Sequence, residues 1–305
     1  MPDKNSMIEL SHLSENKITQ LFQKCIQLKK QFRDSPQSVS GIKGVAALLF
    51  FEPSTRTRFS FEAACARSGV HPLVLGGAAG TSLEKGETME DTILNIEAMR
   101  PLFFVIRCPD SLNLIELQKQ ISIPILNAGW GMRGHPTQAL LDALTIYEKW
   151  GTLKNKKILF VGDIKHSRVV SSHLQLSQMM NYEIAYCSPA ELIPENFDQQ
   201  KIKYFDQVES GLKWADAVVA LRVQTERHAD SAYSENFITE YRNKFGLNIK
   251  KLEHFKPDGL ILHPGPINYG VELEKTVLQD TRSVILQLVE NGAFMRETLI
   301  REILA

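Results

Sequence analysis

The chain has 305 residues, 43% of them apolar, and its 35 lysines and arginines are balanced by 35 aspartates and glutamates. That length sustains two cores of roughly 150 residues each, and a formal charge of zero excludes the broad basic field that nucleic acid or an anionic membrane would need, so any anion site must be local. Residues 1–16 are polar, no run approaches the ~20 apolar residues of a membrane span, and Cys25, Cys65, Cys108 and Cys187 lie far apart, which predicts a soluble, cytoplasmic protein.

From the N-terminus, Ser14 can cap a helix that carries Ile18, Leu21, Phe22, Cys25 and Leu28 on one face. Residues 45–51 form an apolar run of strand length, followed by polar residues and a helical stretch over about 59–68 that Gly69 can end. The alternation repeats: strand 73–75 and helix 87–100, strand 102–106 and helix 112–120, strand 125–126 and a helix opening at Pro136. A second series starts after Trp150-Gly151, with strand 158–161, a helix around 169–180, strand 184–187 and the apolar run 217–221. The expected fold is α/β, with two similar-sized domains, each built on a mainly parallel sheet flanked by helices. The expected bounds are 1–134 and 135–283, joined through helix 136–150, with helix 284–305 packing back on the first domain and the active site between the two.

The segment Ser54-Thr55-Arg56-Thr57-Arg58 stands between a buried strand and a helix. Hydroxyls, guanidinium groups and the free N–H groups of a helix start are what a phosphate dianion requires. A solvated, capped loop is the alternative; two arginines among three hydroxyls favour binding. Arg107, just past an apolar strand, stands where open α/β sheets place ligands, with a structural ion pair as its alternative. His135 before Pro136 suits a helix start as well as a site.

Ser54-Thr55-Arg56-Thr57-Arg58-Phe59-Ser60-Phe61-Glu62 resembles the signature of the aspartate and ornithine carbamoyltransferase family. The resemblance continues through Thr81-Ser82-Leu83-Glu84-Lys85-Gly86-Glu87-Thr88, Arg107, His135-Pro136-Thr137-Gln138, Gly162-Asp163 with Arg168, Arg222-Val223-Gln224 and His263-Pro264-Gly265-Pro266, and so spans nearly the whole chain. It implies that Ser54, Arg56 and Thr57, helped by Thr55, hold the phosphate of carbamoyl phosphate. Arg107, His135 and Thr57 would surround the carbamoyl oxygen, where attack builds negative charge. Gln138 and the backbone at Gly265-Pro266 would orient the carbamoyl NH2. The catalytic set so implied is Arg56, Thr57, Lys85, Arg107 and His135.

The second substrate separates the branches of the family. A dicarboxylate calls for paired guanidinium groups, and Arg168 and Arg222 are the matching residues, with Lys85 beside them and Gln224 on the substrate carboxylate. Ornithine enzymes typically carry a cysteine in the histidine-proline-x-glutamine motif and a histidine-cysteine-leucine-proline motif near the C-terminal end; this chain has Thr137 and His263-Pro264-Gly265-Pro266. The resemblance therefore implies carbamoyl transfer to L-aspartate in pyrimidine synthesis, by direct attack of the amine and without a cofactor or metal. In the family the glycine-rich loop with Ser82 and Lys85 enters the active site of a neighbouring subunit, which implies a homotrimer with shared sites. A regulatory chain or a pathway enzyme is a possible further partner.

Two positions depart from the family pattern. Trp130 stands in Gly129-Trp130-Gly131, where relatives commonly have aspartate, and Tyr269 stands where many have arginine. A carbamoyltransferase for ornithine or another amino acid, and a ligand-binding relative without turnover, are the alternatives. A nicotinamide-dependent oxidoreductase, suggested by strand 158–161 running into Gly162-Asp163, lacks the three-glycine fingerprint.

Overall fold

The computed structural model describes residues 6–34, 43–195, 197–198, 201–223 and 235–305. The chain divides into two compact units, Met1–Leu141 with Val289–Ala305, and Asp142–Leu288. Each holds an all-parallel sheet flanked by helices.

In the first unit the sheet is built from β1 (Gly44–Phe50), β2 (Val70–Gly76), β3 (Phe104–Cys108) and β4 (Ile125–Trp130), in the order β2-β1-β3-β4. The central strands are buried on both faces, which is why β1 reads Gly-Val-Ala-Ala-Leu-Leu-Phe rather than alternating. Parallel neighbours need crossovers, supplied by α2 (Thr55–Arg67), α3 (Met89–Glu97) and α4 (Leu114–Gln120). Helix starts are fixed locally: Ser14 Oγ accepts from Lys17 N at 3.2 Å ahead of α1 (Glu15–Asp34), and Asn113 Oδ1 accepts from Ile115 N at 3.1 Å ahead of α4. After β4 the chain enters α5 (Pro136–Trp150), and the division between units falls within this helix. The C-terminal helix α10 (Ile285–Leu304) lies, from Val289 onward, with the first unit. There Arg67 Nε pairs with Glu297 at 2.5 Å, Arg296 donates to Ser60 Oγ at 2.6 Å, and Lys17 pairs with Glu302 at 2.5 Å.

The second unit has β5 (Lys157–Val161), β6 (Glu183–Cys187), β7 (Lys203–Phe205), β8 (Ala217–Ala220) and β9 (Leu260–Leu262), in the order β7-β6-β5-β8-β9. Helices α6 (Arg168–Met180), α7 (Val208–Trp214), α8 (Glu235–Lys244) and α9 (Ile249–Leu252) complete it. Leu159, Val161, Ala185, Val218 and Ile261 belong to its core. In both sheets the order reverses beside the first strand of the unit, between β1 and β3 and between β5 and β8. In open parallel sheets, ligands bind outside the carboxyl ends of the strands at such a reversal.

Two differences from the sequence expectation bear on the site. Helix α2 begins at Thr55 rather than near residue 59, with Ser54 as its N-cap in extended backbone, so Arg56 and Thr57 lie in the first turn. β7, β9 and α9 were not expected from the sequence, because elements of three or four residues carry no repeat to read, and α7 and α8, of seven and ten residues, were not expected either.

Candidate active site

In the first unit, residues 54–57 follow the carboxyl end of β1 and His135 follows that of β4, while Arg107 lies within the last residues of β3 rather than just past it. Ser54 caps α2 without spending its side chain on a cap hydrogen bond, and no acidic residue occupies the first turn. The orphan N–H groups and the positive end of the helix dipole are thus left for an anion. Thr55 and Arg56 are exposed there while Thr57 is buried. Arg58, in contrast, turns to Glu62 at 3.2 Å and lies over the Phe59 ring.

Arg107 is paired in register with Phe50, the last residue of β1. Its Nη1 donates to Ala128 O at 3.4 Å and its Nε lies 3.7 Å from Glu52. A carboxylate on one side and a carbonyl on the other hold the guanidinium at the reversal point. His135, 5% exposed, ends the loop from β4, with Thr137 Oγ1 3.5 Å from its Nδ1, and Gln138 follows one turn into α5. The loop is pinned by Asn127, fully buried, whose Nδ2 donates to Ile8 O at 2.9 Å and whose Oδ1 accepts from Gly129 N at 2.7 Å. Asn127 was missed in the sequence, where a lone asparagine in an apolar strand has no motif.

The two departures resolve differently. Trp130 is 1% exposed within the core of the first unit, and the Arg133 guanidinium lies 4.7 Å over its ring. A carboxylate nevertheless serves this turn: both oxygens of Asp110 accept from Met132 N, at 3.2 and 3.1 Å. Tyr269 is half exposed at the surface.

Ser82 and Lys85 occupy an exposed 3-10 turn, Ser82–Lys85, after β2. The turn borders a cavity of about 470 Å³ lined in part by Gly80, Thr81, Glu84 and Glu87. Among the described residues the Lys85 ammonium has no ion-pair or hydrogen-bond partner, and the turn is not joined to residues 54–57 by a hydrogen bond.

In the second unit Arg168 opens α6 behind Ser167, whose Oγ accepts from Val170 N at 3.3 Å. Arg168 is buried, and Arg222 is half-buried just past the end of β8. β5 and β8 are hydrogen-bonded neighbours with Val161 opposite Ala220, so the chain segments that lead to Arg168, at the start of α6, and to Arg222 leave adjacent strand ends at the reversal. The loop between β5 and α6 is braced by Asp163, which accepts from His166 N at 3.2 Å and lies 2.8 Å from its Nδ1. Gly265 and Pro266 follow β9, Gly265 with φ +71°. Gln224 lies outside the described residues.

Among the described residues no group of three His, Cys, Asp or Glu side chains could hold a metal ion, and no helix is long and apolar enough to cross a membrane. All four thiols are free and buried; burial pushes Cys65, with Glu62 adding, and Cys187, with Glu209 adding, up to about 12. Neither thiol is poised as a nucleophile.

Comparison with known proteins converges on one family. Residues 5–148 match the carbamoyl-P binding domain, and residues 154–303 the Asp/Orn binding domain, of the aspartate/ornithine carbamoyltransferases. An aspartate carbamoyltransferase catalytic subunit of Gemmatimonas aurantiaca is 38% identical over 300 residues, covering 98% of this chain and 93% of the relative. One of Chlorobium chlorochromatii is 41% identical over 265 residues, covering 85% and 84%. Aspartate transcarbamoylase of Trypanosoma cruzi, solved in complex with carbamoyl phosphate, is 27% identical with a TM-score of 0.85 over 97% of this chain and 95% of that one. Matched over both units in sequence and in fold, the chain belongs to the aspartate/ornithine carbamoyltransferase family.

Proposed function

We propose that the chain transfers the carbamoyl group of carbamoyl phosphate to the amino group of L-aspartate, giving N-carbamoyl-L-aspartate and phosphate. The observation that carries the choice of acceptor is that Arg168 and Arg222 lie on the segments that follow the neighbouring strands β5 and β8 of the second sheet. Two guanidinium groups suit the two carboxylates of aspartate and would repel the distal ammonium of ornithine. The relatives named as aspartate carbamoyltransferases and the T. cruzi enzyme, also solved with carbamoyl aspartate and phosphate, support this reading.

In this reading the start of α2 holds the phosphate through Ser54, Thr55, Arg56 and Thr57. Arg107, His135 and Thr57 face the carbamoyl oxygen, and Gln138 with the Gly265-Pro266 backbone directs the NH2. The neutral amine of aspartate, its carboxylates held by Arg168, Arg222 and Gln224, attacks the carbamoyl carbon. The new C–N bond forms, negative charge on the oxygen is stabilised by fixed donors, the C–O bond to phosphate breaks, and the amine proton leaves with the phosphate. No protein nucleophile is needed, because the phosphate already makes the carbon electrophilic.

The same reading places the enzyme early in pyrimidine biosynthesis, in the cytoplasm, as a homotrimer in which Ser82 and Lys85 serve a neighbouring subunit. Free thiols suit a reducing compartment. Exposed Phe59, Leu73 and Val74, together with Lys85, whose ammonium has no partner among the described residues, suit a subunit contact on the first unit. Acceptor-dependent phosphate release tests the reaction: aspartate should support turnover and ornithine should not, with the product confirmed by mass. Turnover with ornithine alone would overturn the assignment of the pocket. Mixing inactive Arg56→Ala and Lys85→Ala chains should restore activity through hybrid trimers; no rescue would count against sharing.

A further inference from the structure

Glu272, 1% exposed, stands outside every binding role assigned above. Its backbone is fixed by a short bridge, with Leu247 N donating to Glu272 O at 3.0 Å and Glu274 N donating to Leu247 O at 2.9 Å. From that fixed base the side chain serves two arms. Oε1 lies 3.3 Å from Nε2 of His263, a residue 2% exposed, and accepts from Asn268 N at 2.6 Å. In the first arm, His263 Nδ1 accepts from Gly265 N at 2.8 Å. An amide N–H only donates, so Nδ1 is the unprotonated nitrogen and the proton of the neutral ring sits on Nε2, directed at Glu272. The carboxylate thereby selects the tautomer that holds Gly265. In the second arm, Asn268 Nδ2 donates to Val223 O at 3.2 Å, one residue beyond Arg222.

We propose that Glu272 is a positioning residue for carbamoyl transfer, setting from one buried carboxylate both the Gly265-Pro266 turn and the strand end that carries Arg222. The proposal rests on the carbamoyl-transfer reading. It accounts for a feature that packing alone does not supply: beside the apolar cluster that Val223 shares with Ile267 and Val271, the loops after β8 and β9 are tied through polar side chains, and a charge-assisted hydrogen bond sets direction as well as distance. Both arms end within the second unit, so loss of Glu272 should be felt by aspartate and by the carbamoyl amide, and not by phosphate.

The test is steady-state kinetics of the full chain with both substrates, beside equilibrium binding of inorganic phosphate. Glu272→Ala should raise KM for aspartate by roughly tenfold or more and lower kcat, while phosphate affinity stays within about twofold. Glu272→Gln keeps an acceptor oxygen for His263 and Asn268 and should restore both parameters to within about threefold of the parent. Wild-type kinetics in Glu272→Ala would overturn the proposal, as would equal losses of aspartate and phosphate affinity. If Glu272→Ala fails to fold, Asn268→Ala, cutting only the second arm at a half-buried residue, should still raise KM for aspartate with phosphate binding intact; an unchanged KM there overturns it. A parent chain silent with aspartate would defeat the carbamoyl-transfer reading itself, whereas an active parent with an indifferent Glu272→Ala defeats this proposal alone.

Discussion

In the first unit Ser54, Thr55, Arg56 and Thr57 are consecutive and ride on one helix start, whereas in the second unit Arg168, Arg222 and Gly265 lie on segments that follow three different strands. The first set needs only that α2 begin at Thr55, after which its first turn gathers the free N–H groups, hydroxyls and a guanidinium at one helix end. The second set depends on the register between β5, β8 and β9, and on brackets such as Asp163 with His166 and Glu272 with His263. A contiguous anion site is therefore sensitive mainly at its contact residues. A dispersed one is also sensitive at buried residues that never meet the ligand.

The sharpest way to break this comparison is to remove one guanidinium from each unit. Arg56→Ala should lower kcat/KM for carbamoyl phosphate by about 10²–10³-fold, since it removes a charged donor from an anion that is already desolvated by the helix start. Arg222→Ala should instead raise KM for aspartate by about 10²-fold, with inorganic phosphate affinity left near that of the parent. Isothermal titration with phosphate and initial rates over both substrates separate the two outcomes. If Arg222→Ala weakened phosphate as much as Arg56→Ala does, the division of labour would be wrong.

A smaller effect is expected at the turn that leads into His135. Gly131 has φ +44°, and a Cβ there would collide with the Asp110 carboxylate, which is itself held by Met132 N. Gly131→Ala should cost about 2–3 kcal/mol of stability and lower kcat, because relieving the clash displaces the loop that ends at His135. A thermal melt and kcat measured together would show it. An unchanged melt would mean that Asp110 can swing away freely, and that the turn is held by Trp130 and Asn127 instead.

The same contrast governs how much was legible in the sequence. The segment proposed to hold phosphate stood out because its residues are adjacent and follow an unbroken apolar strand; Arg56 and Thr57 stand at the start of a helix, though that helix begins four residues earlier than the apolar pattern suggested. The parallel α/β architecture was readable because β1, β5 and β8 are buried on both faces and so are apolar throughout. Glu272, Asn268, Asn127 and Asp110 were not readable. Each is a single polar residue whose partner is at another strand end or across a turn, and nothing in local spacing distinguishes it from a solvated side chain. The surroundings of Trp130 could not be read either, since the carboxylate that meets its turn comes from position 110, twenty residues earlier.

The smallest expected effect concerns how each unit is fastened near the C-terminus. In the first, Glu302 meets Lys17 and Lys24, and Glu290 meets Arg33 and Lys29. In the second, Asp280 is held by Arg282, which also donates to Leu252 O at 3.0 Å and Phe255 O at 3.1 Å. Burial pushes Glu290 and Glu302 upward, but hydrogen bonds and charge from their lysine and arginine partners outweigh it and hold both below the ordinary glutamate value; Asp280 is held down chiefly by its hydrogen bond to Arg282. A carboxyl whose folded pKa is depressed contributes stability that is fully present above its unfolded pKa and is lost as pH falls through the folded one. Stability should therefore be flat from pH 7 to about 5 and fall below about pH 4.5 as these groups protonate. Glu302→Gln should remove part of that acid-side slope while costing only about 0.2–1 kcal/mol at neutral pH, because Lys17 and Lys24 are largely exposed. Arg282→Ala should cost more at neutral pH, since three backbone carbonyls, those of Leu252, Phe255 and Lys256, lose their donor along with Asp280. Equal neutral-pH losses for the two variants, measured by urea unfolding at pH 7, would show that the C-terminal helix is held by its charges as firmly as the second unit is held by its arginine bracket.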